Sequence, residues 1–307
     1  MNTDKGFSVV KPGSNKGNWR NSPLPWLLPL VIVLAFVFVY PIFQIVRLSF
    51  TDSNLIDTDF SYTLGSYIRL FTLPGFYQML STTGFFVFFS VAFQLIFGFI
   101  IALLIVQGEK LNIRGTVIVR TAVLVAWAIP GVIIGIIWNI MYNETDSGIF
   151  NYLLGLVGIG SQPFLSDPLL SLLSVTIANI WRGTAFSMIL IYAGLQTLPA
   201  NIIEAARIDG ANAFQRLFRV ILPILSPILL VNLIIISIDT FNTFDMVMAL
   251  TGGGPGRSTE VISLSIYTSI FNQFNMGVGA ATAVVLLLIN IIMTVIYLKV
   301  LGREGTN

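Results

Sequence analysis

Asn179, Arg182, Gly183 and Phe186 stand at i, i+3, i+4 and i+7 within an otherwise apolar stretch, so one helical face carries an amide, a cation, a gap and an aromatic ring. That set suits a hydroxyl-rich solute: the amide and cation give directional hydrogen bonds, and the ring packs against the apolar face of a pyranose. A second polar group follows in Asp239, Thr240, Asn242 and Thr243, with Asn232, Ser237 and Asp245 nearby. On a helix Thr240 and Thr243 share one side, and Asp239 and Asn242 the adjacent one. Amides and hydroxyls at such positions also serve as hydrogen-bonding glue between membrane helices, and for any single one of them that role is at least as good a reading. Pairing of Arg182 with Asp239 or Asp245 is a structural reason for those charges.

The chain excludes most catalytic chemistry. Its 307 residues contain no Cys and no His, which removes thiolate nucleophiles, imidazole relays, disulfides and Cys/His metal clusters. No paired carboxylates or nucleophile-base pair stand out, so no catalytic and no metal-binding residue is assigned. The run TGGGPG at 251–256 lacks the Lys-Ser/Thr ending of a phosphate-binding loop and reads as a turn. Hydrophobic residues make up 55% and charged residues 10%, with a mean hydropathy of +0.87. Such values belong to an integral membrane protein, and nothing points to nucleic acid.

The elements that must carry these residues are apolar helices. Segments near 25–48, 83–106, 117–142, 169–195, 224–250 and 277–301 are each long enough to cross about 30 Å of hydrocarbon. The expected fold is therefore all-α and polytopic, with six transmembrane helices and both termini on one side. Lys5, Lys11, Lys16, Arg20, Lys110, Arg114, Arg207, Arg216, Arg219 and Arg303 flank one side, against Arg47, Arg69 and Arg257 on the other. The positive-inside rule makes the first side, with both termini, cytoplasmic in an inner or plasma membrane. Residues 1–23 read as a flexible cytoplasmic tail, 24–302 as the transmembrane domain and 303–307 as a cytoplasmic end. The first span is read as a retained helix, not a cleaved leader. Trp127 and Trp138 read as packing residues or interface anchors.

Between the fourth and fifth spans lies a polar island, 198–223, containing EAARIDGANAFQRLFRVILP. Leu198-Pro199 ends one helix, Glu204, Ala205, Ala206 and Ile208 suit a short new one, and Gly210 permits its sharp closure. Phe214, Leu217, Phe218 and Ile221 then recur at helical spacing in a second, amphipathic helix. By pattern alone this is equally an interfacial connector or a docking element.

The sequence E-A-A-x-x-D-G-A, with I-L-P at 221–223, resembles the EAA loop of ABC importer permeases. Tyr40-Pro41, Ser49-Phe50, the stretch 130–138, Asn179-Ile180-Trp181-Arg182, and Leu250-Thr251 with Gly253-Gly254-Pro255 resemble the carbohydrate-uptake branch, which includes the maltose and glycerol-phosphate permeases. The resemblance implies a non-enzymatic permease subunit importing a sugar or oligosaccharide by alternating access. It implies a coupling helix on Glu204, Ala205, Ala206, Asp209 and Gly210, docked on a cytoplasmic ATPase. It also implies sugar contacts at positions matching Asn179, Gly183, Phe186, Thr240 and Thr243. The partners it implies are a second permease in a heterodimer, two ATPase subunits and an external solute-binding protein. No cofactor is expected in this chain, ATP and Mg being bound by the ATPase subunits. Unlike the larger maltose permease, this chain has no extra N-terminal helices and no large external insertion. The rival reading is an ion-coupled secondary transporter in which Asp239 or Asp245 carries a proton.

Overall fold

The computed structural model describes residues 24–56, 59–145 and 147–300. The expected tail 1–23 and C-terminal end 303–307 lie outside the described residues, as do Lys5, Lys11, Lys16, Arg20 and Arg303. The described chain is helical almost throughout, and among the described residues the only β-pairing is an isolated bridge between Thr51 and Tyr62. Five helices are long and apolar enough to cross a membrane, or six if one sharply bent pair counts as a single crossing.

The chain divides into two compact units, 1–45 and 46–307. The described residues of the first, 24–45, are helical and make up most of helix α1, Trp26–Ser49, which widens into a π turn at Ala35–Val39. Its side chains from Trp26 to Phe43 are exposed and almost wholly apolar, the composition of a surface built for lipid or another protein.

The second unit begins with the short α2, Gly65–Thr72, followed by α3, Pro74–Lys110. Pro74 opens α3 where its missing N–H costs nothing, and the helix runs 37 residues, beyond both ends of the expected span 83–106. Helices α4, Thr116–Ala128, and α5, Gly131–Met141, meet at a bend of 101°. The expected span 117–142 is thus not one continuous helix but two, sharply bent at their junction. Ile129 precedes Pro130 and is driven to the extended conformation, with φ −74° and ψ 130°, which stops the first helix there. After α6, Ile149–Leu156, comes α7, Pro168–Gln196, whose start is capped by the Asp167 carboxylate accepting from the Leu169 and Leu170 amides at 2.9 and 2.8 Å.

Helix α8 spans Ala200–Ile208, and α9 runs from Ala213 to Phe241. The second amphipathic helix expected after Gly210 is therefore not separate: it continues through a π turn at Leu217–Ile221 into the fifth span. The expected span 224–250 is also interrupted, because α9 ends before Asn242, and α10 covers only Asp245–Leu250. Helix α11, Ile262–Tyr267, and α12, Met276–Val300, complete the unit.

Its core is divided by height along the bundle. One apolar cluster joins Phe86, Ile134, Trp138, Val175, Met246 and Leu250, and another joins Ala102, Ile105, Met188, Ile191 and Leu225. The most extensive helix–helix packing is that of α3 with α7. Gly98 lies so near Ser187 that a Cβ there would sit 2.5 Å from the serine side chain, the small-residue contact that membrane helices use in place of a hydrophobic driving force. Trp138 is buried at 8% exposure against Tyr142, Phe150 and Trp181, so it is a core residue and not an interface anchor, whereas Trp127 is half-exposed.

Candidate functional site

Helix α7 presents its polar face to α3, α4 and α9. Asn179 is 2% exposed, and its Nδ2 finds no hydrogen-bond partner among the described residues. One turn on, Arg182 reaches toward the tip of α10, where its Nη1 stands 4.0 Å from Asp245 Oδ1, while its buried Nε has no hydrogen-bond partner among the described residues. Asp245 Oδ1 also accepts from the Met246 amide at 2.9 Å, and its carboxylate fills the space where Gly131 has no Cβ. The break after Asn242 thus aims an acid back at Arg182, the pairing foreseen for that charge.

Gly183 faces the side chain of Gln94, which occupies the volume a Cβ would need. Gln94 is itself 2% exposed and donates from Nε2 to the Asn179 carbonyl at 3.0 Å. The Phe186 ring lies 5.7 Å from that of Trp127. Gln94, Trp127, Arg182, Gly183, Phe186 and Asp239 together line a cavity of about 80 Å³. It is the place where a cation, a carboxylate, an amide and two aromatic rings meet inside an apolar bundle. Its size is far below the roughly 300 Å³ at which small-molecule sites begin, so a sugar passes only if the helices separate. A larger groove of about 630 Å³, lined by residues such as Phe97, Val123 and Trp181, is almost wholly apolar and lacks the donors that hydroxyl groups require.

The two sides of the α9 terminus separate as their spacing predicts. Asp239 and Asn242 are exposed, and the Asn242 amide donates to the Ile238 carbonyl at 2.7 Å. Thr240 and Thr243 turn inward at 2% and 3% exposure, with Thr243 Oγ1 donating to the Asp239 carbonyl at 3.0 Å. The structure therefore brings Arg182, Gly183, Phe186 and Asp239 to one cavity and leaves the threonine pair within the packing.

At the polar island, α8 ends in a Schellman motif. The Gly210 N–H donates to the Arg207 carbonyl at 3.1 Å and the Ala211 N–H to the Ala206 carbonyl at 3.0 Å, with Gly210 at φ +80°. Asn212 and Gln215 then form a reciprocal capping box that starts α9. The turn is built rigidly, yet its outward residues are bare: Glu204, Ala205, Asp209 and Gly210 are exposed, Ala206 is partly so, and Ile208 is 86% exposed.

Sequence reasoning missed two features. Gln94 was legible as a lone amide in the run FFVFFSVAFQLIFGF, but nothing local says what it faces. The other is a network at the opposite end of α3, where the Glu109 carboxylate accepts from Tyr192 Oη at 2.9 Å and Gln196 Nε2 at 2.9 Å. Arg120 donates to Tyr192 Oη at 2.8 Å and lies over its ring, tying α3, α4 and α7 together.

Residues 94–303 match the family described as binding-protein-dependent transport system inner membrane components. The chain is 34% identical over 293 residues to the trehalose/maltose transport system permease protein MalF of Thermococcus litoralis, a match covering 94% of this chain and 97% of that one. It is 30% identical over 280 residues to the sulfoquinovosyl glycerol transport system permease protein SmoG of Agrobacterium fabrum, covering 91% and 89%. In fold it resembles a chain of a bacterial ABC transporter involved in the import of the acidic polysaccharide alginate, with a TM-score of 0.78 at 20% identity over 93% of this chain and 98% of that one.

Proposed function

This chain belongs to the inner membrane components of binding-protein-dependent transport systems, and from that membership we propose that it carries a sugar or oligosaccharide into the cytoplasm by alternating access. It is a multi-pass transmembrane permease subunit of an ABC importer. In the proposed mechanism a second permease faces the exposed side of Arg182 and Asp239 and completes the pathway. Two cytoplasmic ATPase subunits hold ATP and Mg, and an external solute-binding protein delivers the sugar. The chain itself needs no cofactor.

The observation that carries the reading is the small polar cavity on α7 and α9. Intramembrane charge is expensive, and here Arg182, Asp239 and Asp245 are gathered at one level beside Phe186 and Trp127 rather than scattered as helix glue. Asn179, Arg182, Gly183, Phe186, Asp239 and Asn242 are assigned to the pathway side. Thr240 and Thr243 come into reach only when α9 and α10 move. Glu204, Ala205, Ala206, Asp209 and Gly210 are assigned to the ATPase contact: a rigid turn with a bare Ile208 at its tip needs a groove to receive it. With both termini cytoplasmic, closure of the ATPase dimer pushes α8, and α7 and α9 rock about the site.

The test is uptake of labelled maltose by proteoliposomes holding the full complex. Uptake should require ATP, the ATPase subunits and the binding protein. Uptake that persists without the ATPase subunits and collapses when the proton gradient is dissipated would overturn the reading in favour of proton carriage by Asp239 or Asp245. Asn179→Leu should lower uptake while the complex still assembles.

A further inference from the structure

We propose that Gln94 on α3 contacts the transported solute and helps set its specificity, presenting its carboxamide to the cavity through the gap left by Gly183. The inference rests on the pathway reading above and adds a third helix to it.

The side chain is placed by two independent constraints. Its Nε2 donates to the Asn179 carbonyl at 3.0 Å, and its carboxamide fills the space beside Gly183 that any Cβ would claim. Gln94 is therefore held against the polar face of α7 with little freedom to choose another rotamer. It is 2% exposed, yet it borders the same cavity of about 80 Å³ as Arg182, Phe186 and Asp239. A single N–H is spent on the Asn179 carbonyl, which leaves a second N–H and the lone pairs of Oε1. A donor and an acceptor side by side on one rigid group match a pair of neighbouring hydroxyls, each of which both gives and takes a hydrogen bond.

The same geometry redefines Gly183. In this state its missing side chain is not open room for the sugar, because Gln94 already occupies it. Gly183 is the slot that lets an amide from α3 reach the face of α7, and the amide holds the place that sugar hydroxyls take when the helices part. Nearby, Asn179 Nδ2 is buried with no hydrogen-bond partner among the described residues. Burying an unpaired amide is costly, and solute oxygen atoms arriving beside Gln94 would relieve it.

A structural role alone predicts something different. If Gln94 only tied α3 to α7, an apolar side chain of equal length would fill the slot, and transport would follow assembly. Gln94→Met keeps the volume and removes the amide, so it separates the two. In the reconstituted full complex, Gln94→Met should assemble and bind its ATPase normally, while maltose uptake falls by about 10-fold, the worth of one or two lost hydrogen bonds. Its discrimination between maltose and monodeoxy maltoses should shrink as well. Gly183→Ala, which displaces Gln94, should act non-additively with Gln94→Met. Unchanged uptake and discrimination in Gln94→Met overturn the proposal, and so does loss of assembly, which would make Gln94 a packing residue.

A second readout does not depend on the cargo. The chain has no cysteine, so Gln94→Cys introduces a unique thiol. In the assembled complex it should react with a small water-soluble methanethiosulfonate, while Ser90→Cys, one turn away and outside the cavity lining, should not. A Gln94→Cys thiol that stays unreactive with and without ATP sinks the assignment. A wild-type complex that takes up no sugar would count against the cargo proposed above, while the thiol reactivity would still decide the place of Gln94.

Discussion

The loops at one end of the bundle and the polar island at the other are both rich in charge, but they use it in opposite ways. In the loops four of the acids are consumed at home. Glu144 accepts from the Leu165 and Ser166 amides at 2.8 and 2.6 Å and from Ser166 Oγ at 2.7 Å. Asp52 accepts from the Ser61 amide and hydroxyl at 2.6 and 2.7 Å, Asp167 caps α7, and Glu260 forms a two-point ion pair with Arg257. At the island, Glu204 and Asp209 have no side-chain hydrogen bond among the described residues, although the backbone around them is closed by a Schellman turn and a capping box. Charges satisfied within the chain shape a loop, whereas charges left bare on a rigid turn are there for another surface.

The largest break in that comparison comes at Gly210. Its φ of +80° is closed to proline, whose ring holds φ near −65°, and its N–H serves the Arg207 carbonyl. Gly210→Pro should leave the protein in the membrane with its spans intact and cut ATP-driven uptake by about 100-fold, near the upper range of allosteric coupling. Normal uptake with normal stimulated ATPase activity would remove the island from the coupling role. Glu204→Lys changes charge without changing the turn, so the effect should be smaller. We expect an uptake loss of about 10-fold, accompanied by weaker retention of the ATPase subunits in a pull-down. Equal loss of uptake with full retention would mean that Glu204 acts after docking.

How far the sequence reveals these regions depends on how local their causes are. The helix end at Gly210 and the bend at Ile129-Pro130 are written in residues whose own backbone preferences impose them. Even so, the bend is visible only if Pro130 is weighed against the apolar run around it. The interruption at Asn242 to Phe244 has no glycine or proline to announce it. It is set by tertiary packing that turns Asp245 toward Arg182 and Gly131, and only the density of polar residues hints at it. Asn179, Arg182, Gly183 and Phe186 are legible as one face because helical spacing alone unites them. That Thr240 and Thr243 face inward, and that Gln94 fills the gap at Gly183, depends on which helix lies opposite, and no periodicity encodes that.

On the loop side the expected effects are structural and leave transport nearly untouched. Arg257 sits with its guanidinium over Gly75 at the start of α3 and bridges to the buried Glu260, which holds the Arg257 charge above the ordinary arginine value. Glu260→Gln should lower the melting temperature by a few degrees, consistent with a loss of about 1 kcal/mol for an ion pair with one half-exposed partner. Uptake should stay within about twofold, given the modest size of that loss. A large uptake defect with unchanged melting would show that this loop too serves a partner, and the contrast between the two ends would fail.

The smallest effect, and the sharpest on the loop chemistry, concerns Glu144. The Ser166 hydroxyl, opposed by burial and helped by the Leu165 and Ser166 amides, holds its carboxylate below the ordinary glutamate value. A carboxyl group depressed on folding stabilises fully above its unfolded value, and that contribution disappears as pH falls through the lower, folded value. Hydrogen exchange at Leu165 and Ser166 should therefore be slow at neutral pH and accelerate below the ordinary glutamate range, with α7 still protected. Glu144→Gln should show the faster exchange already at neutral pH, by up to about 10-fold, because a neutral amide accepts more weakly than a carboxylate. It should abolish the acid step while transport continues unchanged. If the two amides exchange alike in both proteins across that pH window, the loop is held by its apolar contacts, and Glu144 would then be as free for an outside partner as Glu204 is at the opposite end.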